Sequence, residues 1–368
     1  MLAPVHLSEG LRFFRRRLGF SGFRRFDGDA FAICREVVDA CWNGRFLQVS
    51  SGHYRQVYAR DLGWCAPALL ALGHRDRVLA TLSYAFERWS RAGRITVAIT
   101  PSGRPFDFPS YPSLDSIAYV FNTLRLVHAK DLVEQHRPFL KSQVRWVASL
   151  VQDDGLPRPI RFSGMRDYAI RQQSCYDTAA LGLLSRCLDD LRLQNPLPSA
   201  SRYAKLLKSH FWTGRHFRDD LSGKDVVTAD ANIYPFWWGI IKSGKMLKSA
   251  VRSLQSEGLD VPFPLKYVRS KSREDKMLWM ERFVSGWERD AIWSHMAMPY
   301  IELLASFDKR RAKEHLRSYA SLIERHGTYV EVFAPSGEPF KTPFYVADEG
   351  MLWASQFLYV ARKIGFRG

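Results

Sequence analysis

Long apolar runs are missing from this chain. No stretch approaches the roughly 20 residues that a membrane helix needs, so no membrane span is expected. Cysteine is sparse: Cys34, Cys41, Cys65, Cys175 and Cys187 make five, an odd number without C-x-x-C spacing, each in an apolar, helix-like context. That pattern fits reduced, buried thiols and a cytoplasmic location better than a disulfide framework or a thiol metal site. No apolar h-region follows Arg15-Arg16-Arg17, so a secretory leader is not expected. Acidic residues are outnumbered, 37 against 54 Lys and Arg, which gives a net charge of +17. The positive charge is spread along the chain, and the dense cluster is Arg12, Arg15, Arg16, Arg17, Arg24 and Arg25. No zinc-finger, KH or RRM signature accompanies it, which argues against a nucleic-acid partner. A generic basic surface and an anionic partner, such as a phosphorylated or uronic-acid sugar, both stay open. There is no P-loop, no G-x-G-x-x-G after a strand, no G-x-S-x-G elbow and no H-E-x-x-H, and nothing calls for a cofactor. His53, His216 and His295 lack metal-ligand spacing to nearby acids, so no metal is expected.

What the chain has in quantity is apolar and aromatic surface, 46% and 14% of its 368 residues, far too much for disorder. No Pro/Gly/Ser-rich linker divides it, so the reading is a basic N-terminal segment over 1–29 and one large domain over 30–368. Apolar positions recur at three- and four-residue steps through 30–43, 62–72, 76–91, 116–129, 138–151, 175–191, 200–209, 231–242, 245–256, 290–306, 310–325 and 349–363. These predict about twelve helices, with short extended pieces at Ile95–Ile99 and Thr328–Phe333.

Loop lengths tend to alternate. The links at 44–60, 93–114, 153–173, 210–229, 258–288 and 326–347 are long, and several of the others are short. Long loops in a compact domain are usually functional, and a regular series of them predicts one shared rim. An acidic residue recurs at or near the start of each even helix: Asp61, Asp115, Asp177, Asp230, Asp290 and Glu349. The pattern is a degenerate helical hairpin used six times, closing into an all-α (α/α)6 toroid with the more apolar even helices inside. Each acid on its own can be a helix cap. Converging on one rim, the six would suit a ligand rich in hydroxyl groups. Trp64, Tyr111, Trp287 and other aromatics lie beside the same loops. Sugar rings stack on such faces; Trp287 and Tyr111 read as cleft residues, while Trp237, Trp238 and Trp353 read as core.

Several segments resemble those of the six-hairpin glycosidases, the group containing glucoamylases, trehalases, neutral invertases and processing α-glucosidases. Tyr58-Ala59-Arg60-Asp61-Leu62 looks like the Arg-Asp motif that binds sugar hydroxyls there. Ser163-Gly164-Met165-Arg166-Asp167-Tyr168 is similar to the loop that carries the general acid. Gly286-Trp287-Glu288-Arg289-Asp290-Ala291-Ile292-Trp293 resembles a Trp-Arg-Gly-Pro-Ile-Trp stretch, with Asp290-Ala291 in place of Gly-Pro. Gly327-Thr328-Tyr329-Val330-Glu331-Val332-Phe333, with Ser336-Gly337 after it, is like the segment that supplies the general base. The likeness covers roughly 45–363 by order and spacing.

The resemblance implies an inverting hydrolase of an α-glucoside or related oligosaccharide, with Asp167 as acid and Glu331 as base, their carboxyl groups about 6.5–9.5 Å apart. It implies sugar binding by Arg60 and Asp61; the rim pattern of acids and aromatics adds Trp64, Tyr111, Asp115, Asp177, Asp230, Trp287 and Asp290 as expected contacts. Arg166 and Arg171 flank Asp167, and a cation that close would pull its pKa down, the wrong direction for an acid. Asp115 and Asp177 are the alternative acids, Asp348 and Glu349 the alternative bases. A sugar epimerase or isomerase using His295 and His326, or a non-catalytic glycan-binding scaffold, are rivals on the same frame. Oligomeric state is not legible.

Overall fold

The computed structural model describes residues 4–269 and 276–367; part of the 258–288 loop and the first three residues of the basic segment lie outside them. Its helices are α1 (Pro4–Leu18), α2 (Ala30–Ala40), α3 (Ala59–Ala71), α4 (Arg75–Ala92), α5 (Leu114–Leu126), α6 (Lys130–Gln135) and α7 (Arg137–Ser149). They continue as α8 (Cys175–Asp190), α9 (Ala200–Leu206), α10 (Ala229–Trp237), α11 (Gly244–Ser256), α12 (Ser294–Leu304), α13 (Lys309–His326) and α14 (Ala354–Ile364). Helices α3, α5, α8, α10, α12 and α14 pack each on the next, and α14 returns to α3, so six helices close a ring. Outside it, α2 lies on α14, α4 on α3, α9 on α8, α11 on α10 and α13 on α12. The architecture is an all-α (α/α)6 toroid.

The inner helices are apolar nearly all round because both of their faces are covered. In α5 every residue from Leu114 to Leu124 is buried, whereas α13 buries one face and exposes a charged one. Gly63 lets α3 approach α5: a Cβ there would collide with the Tyr119 ring. Three inner helices carry an internal proline, Pro67, Pro235 and Pro299. Outer helices stop on left-handed glycines, Gly93 after α4 and Gly327 after α13.

Two expected helices start late, for local reasons. The 290–306 helix begins at Ser294 because β4 (Ile292–Trp293) pairs antiparallel with β5 (Val332–Phe333). The 349–363 helix begins at Ala354, since Gly350 sits at φ +63°, and a Cβ there would run into the Ser51 hydroxyl. The other sheet joins β1 (Val57–Tyr58), which leads into α3, to β2 (Ala98–Ile99) and β3 (Pro105–Phe106), which follow α4. Within the basic segment, α1 is a helix lying across the mouth of the ring. His6 Nε2 reaches the Asp107 carbonyl at 2.7 Å, Arg17 Nε donates to the Thr342 carbonyl at 2.7 Å, and Arg16 pairs with Glu349.

Candidate active site

The starts of the inner helices and the long loops surround a cavity of about 920 Å³, its open mouth included. Arg60, Asp61, Trp64, Asp167, Trp287 and Glu331 all line it. The β1–β2 pairing fixes the chain entering α3, so Arg60 and Asp61 sit in the first helical turn with their side chains buried.

Arg60 is the one cation on the cavity wall among the described residues. Its Nε lies 3.2 Å from Asp115, and its Nη2 donates to Ser163 Oγ at 2.7 Å and to Asp167 Oδ1 at 3.1 Å. Burial pushes the Asp167 carboxyl above its ordinary pKa, and Arg60 and the Ser163 hydroxyl offset only part of that rise. The arginines adjacent in sequence turn elsewhere. Arg166 Nε donates to the Glu288 carbonyl at 3.1 Å, and Arg171 binds Asp230 at 2.6 Å and Asp219 at 3.1 Å.

Glu331 is clamped through its backbone. Its N–H donates to the Asp348 carbonyl at 3.0 Å, and Ser294 Oγ donates to its carbonyl at 2.8 Å, just below the β4–β5 pair. Its Oε2 accepts from the Tyr345 hydroxyl and, at 2.8 Å, from the Asp348 N–H. Burial pushes Glu331 up to about 8 against those two donors. Asp61 is likewise pushed up by burial, to about 7, although Trp353 Nε1 donates to it at 2.8 Å. Trp353 is a core residue, as expected, and it also lines the cavity, where its indole N–H finds a partner in Asp61.

Glu288 is the residue the sequence reading passed over. Its two oxygens accept the backbone N–H groups of Asp167 at 2.7 Å and Tyr168 at 2.8 Å, so it fixes the loop that presents Asp167. Burial, and then the charge of Asp167, raise Glu288 to about 8. Two acidic groups this deeply buried disfavour full ionisation of both. Its signal was its place beside Trp287, in the very stretch that departs from the family pattern.

The other expected contacts lie off the cavity wall. Asp115 is fully buried, held by Arg60, the Ser113 hydroxyl at 2.6 Å and the Tyr176 hydroxyl at 3.0 Å. Asp177 accepts from Ser174 Oγ at 2.6 Å, and burial lifts it to about 7. Asp230 is tied to Arg171, and Tyr111 is a half-buried partner of Arg161. Asp290 lies in the turn after Gly286, outside the lining. Of the alternative bases, Asp348 accepts from Ser50, His53 and Tyr54; burial raises its carboxyl, but His53 and these donors carry it well below the usual range. Glu349 is paired with Arg16 of α1.

Aromatic side chains form the remaining wall. Trp64 and His295 stack at 4.5 Å with planes 6° apart, and Trp287 stands 5.3 Å from Tyr345 and 5.1 Å from Trp293. The Trp287 indole N–H is buried and has no partner among the described residues. From α1, Glu9 and Phe13 complete the mouth, Glu9 being held by Gln56 and Arg12 at 2.5 Å each. No three His, Cys, Asp or Glu side chains group as a metal site among the described residues.

No family model matches the chain, and no curated protein matches it in sequence. Solved structures do match. A glycosidase in complex with glucose superposes with TM-score 0.65 at 14% identity, covering 98% of this chain and 99% of its own. The mannosylglycerate hydrolase of Thermus thermophilus, in complex with Tris, gives 0.61 at 13%, over 90% of this chain and 100% of that one. A rhamnosidase from Klebsiella oxytoca with rhamnose bound gives 0.62 at 13%, over 93% and 65%. At such identities the likeness is one of fold, and the fold this chain shares with these three glycosidases is the (α/α)6 barrel.

Proposed function

We propose that the protein is a glycoside hydrolase that cleaves an O-glycosidic bond by an inverting, two-carboxylate mechanism. The observation that carries this reading is that Asp167 and Glu331, from loops far apart in the chain, line one aromatic-walled cavity with the Arg60-Asp61 pair. Asp167 is the general acid: burial raises its carboxyl above the ordinary value, the direction a proton donor needs. Glu331 is the general base that draws a proton from the attacking water. Asp61 and the free Trp287 N–H bind sugar hydroxyls, and the Trp64 and Trp287 faces hold the ring. The fold neighbours, which are themselves glycosidases, support the same reading.

The cavity wall sets five carboxyl groups (Glu9, Asp61, Asp167, Glu288 and Glu331) against one arginine. That arginine, Arg60, is already shared by Asp115 and Asp167, so the wall has no spare cation for a phosphate or a uronate, which favours a neutral sugar there. An isomerase using two histidines is disfavoured, because His295 lines the cavity while His326 ends the outer helix α13. A purely binding scaffold is disfavoured by geometry, because two acids from distant loops, Asp167 and Glu331, open on one cavity beside Arg60 and Asp61.

The deciding experiment is a panel of neutral α-linked di- and oligosaccharides, trehalose, maltose, isomaltose and sucrose among them, with the product anomer followed by NMR. Wild type should hydrolyse at least one with inversion, and Glu331→Gln should lose on the order of 10²–10⁴ in kcat. Full activity in Glu331→Gln, or no cleavage of any member, would overturn the assignment.

The base also carries a pH signature. Glu331 acts only when ionised, so kcat/KM should rise as pH passes through about 8. The Tyr345 hydroxyl favours the ionised form by donating to it. Tyr345→Phe should therefore move the rising limb upward by about one pH unit. A limb that stays in place would mean that the phenol does not hold the carboxylate.

A further inference from the structure

Helix α1 is amphipathic the wrong way round for a helix that merely packs on a barrel. Its inward face is largely polar, with His6, Glu9, Arg12 and Arg16 making contacts at the barrel mouth. Its outward face carries Leu7, Leu11, Phe14 and Leu18, spaced four, three and four apart, with exposures of 60%, 55%, 37% and 69%. One helical stripe is thus apolar and turned to solvent.

The stripe continues across the surface. Phe14 stands 6.2 Å from Phe344, Phe344 5.2 Å from Phe283, and Phe283 5.8 Å from Trp279. Phe344, Phe283 and Trp279 are themselves 45%, 46% and 61% exposed. The segments are tied together, since Arg17 donates to the Thr342 carbonyl and Thr342 Oγ1 donates to the Phe283 carbonyl at 3.1 Å. Seven large apolar side chains form a patch of a kind that soluble surfaces seldom leave open. Basic residues are interleaved with them: Arg15 beside Phe14, Arg282 beside Phe283 and Lys341 near Phe344 are all exposed.

We propose that this face docks on an anionic lipid bilayer, with the apolar stripe of α1 lying in the headgroup boundary and the flanking arginines and lysine on lipid phosphates. A helix with an apolar face and cationic flanks has the composition of an interfacial helix. Charge decides between a bilayer and a second copy of the chain. A two-fold interface would set this patch against itself and bring Arg15, Arg282 and Lys341 toward their own copies, on molecules of net charge +17. An anionic surface complements the same charges, at about fivefold in partitioning per basic residue near the membrane. Because Glu9 and Phe13 of the same helix line the cavity, docking would hold the cavity mouth beside the bilayer.

The test is co-sedimentation of the full chain with vesicles of phosphatidylcholine alone, and of phosphatidylcholine and phosphatidylglycerol in equal parts. Wild type should pellet with the anionic vesicles at least about tenfold more strongly than with the neutral ones, and less as salt rises. The quadruple variant Leu7→Ser, Leu11→Ser, Phe14→Ser, Leu18→Ser should lose on the order of a hundredfold in partitioning. Its circular dichroism and melting should match wild type, and Phe283→Ser with Phe344→Ser, away from α1, should lose about tenfold by the same assay. Equal binding to neutral vesicles, or full binding by the quadruple variant, overturns the proposal. So does a wild-type dimer in light scattering that ignores vesicles and dissociates in the variant.

Discussion

Asp167→Asn should lower kcat on an unactivated glycoside by on the order of 10²–10⁴ while leaving an aryl glycoside with a good leaving group within about tenfold of wild type. The asymmetry follows from what the group does. A sugar alkoxide is a poor leaving group and needs a proton as the bond breaks, whereas a nitrophenolate leaves without one. Asparagine keeps the shape of the side chain and an acceptor for Arg60 Nη2 and Ser163 Oγ, so the loop should stay where Glu288 holds it through the Asp167 and Tyr168 N–H groups. What is lost is the carboxyl proton itself, which burial favours on Asp167 and Arg60 opposes. The measurement is kcat on both substrates for both proteins. An equal loss on the two would show that Asp167 acts on binding or position and that the proton comes from elsewhere, Glu288 being the next buried acid on the wall.

The toroid was legible because a ring of helical hairpins writes two periodicities at once, 3.6 residues within each helix and an acidic start on every second one. Where boundaries moved, tertiary pairing overrode the helical pattern: Ile292–Trp293 went to a strand paired with Val332–Phe333. Helix α1 escaped because its arginine cluster reads as a solvated basic tail. Its apolar spacing of Leu7, Leu11, Phe14 and Leu18 was present, but no inward face could be inferred from it.

The site was legible as a set of acids, and not as to which of them open on the cavity. Asp115 and Asp230 are neutralised by Arg60 and Arg171, partners brought from other parts of the chain, and no sequence spacing reveals such a pairing. Glu288 was missed for the same reason. Its importance lies in two backbone N–H groups more than a hundred residues away, at 167 and 168. Trp353 is a mixed case: it belongs to the core, as its apolar stretch implies, and no pattern revealed that its indole N–H also reaches Asp61 at the cavity.

Arg60→Met should destabilise the fold by about 3–5 kcal/mol, the largest stability loss expected of any exchange at the site. Arg60 is itself buried, and burial disfavours its charge, but Asp115 and then Asp167 raise its pKa well beyond the ordinary value, so the guanidinium stays charged between two buried carboxyl groups. Methionine of similar length would fill the space and leave Asp115, which has no solvent exposure, without its cation. The cost is that of an uncompensated buried charge rather than of lost packing. Asp115→Asn in the Arg60→Met background should therefore recover much of the loss, although each single change destabilises. Urea unfolding of the four proteins closes this cycle. If Arg60→Met unfolds within about 1 kcal/mol of wild type, or if the double variant is as unstable as the sum of the singles, then Asp115 and Arg60 are not coupled as the 3.2 Å ion pair requires. Asp167 supplies a second reading of the same cycle. Without Arg60 its carboxyl should hold its proton more tightly, so the limb of the pH–rate profile set by the acid should move to higher pH in any Arg60→Met protein that still folds.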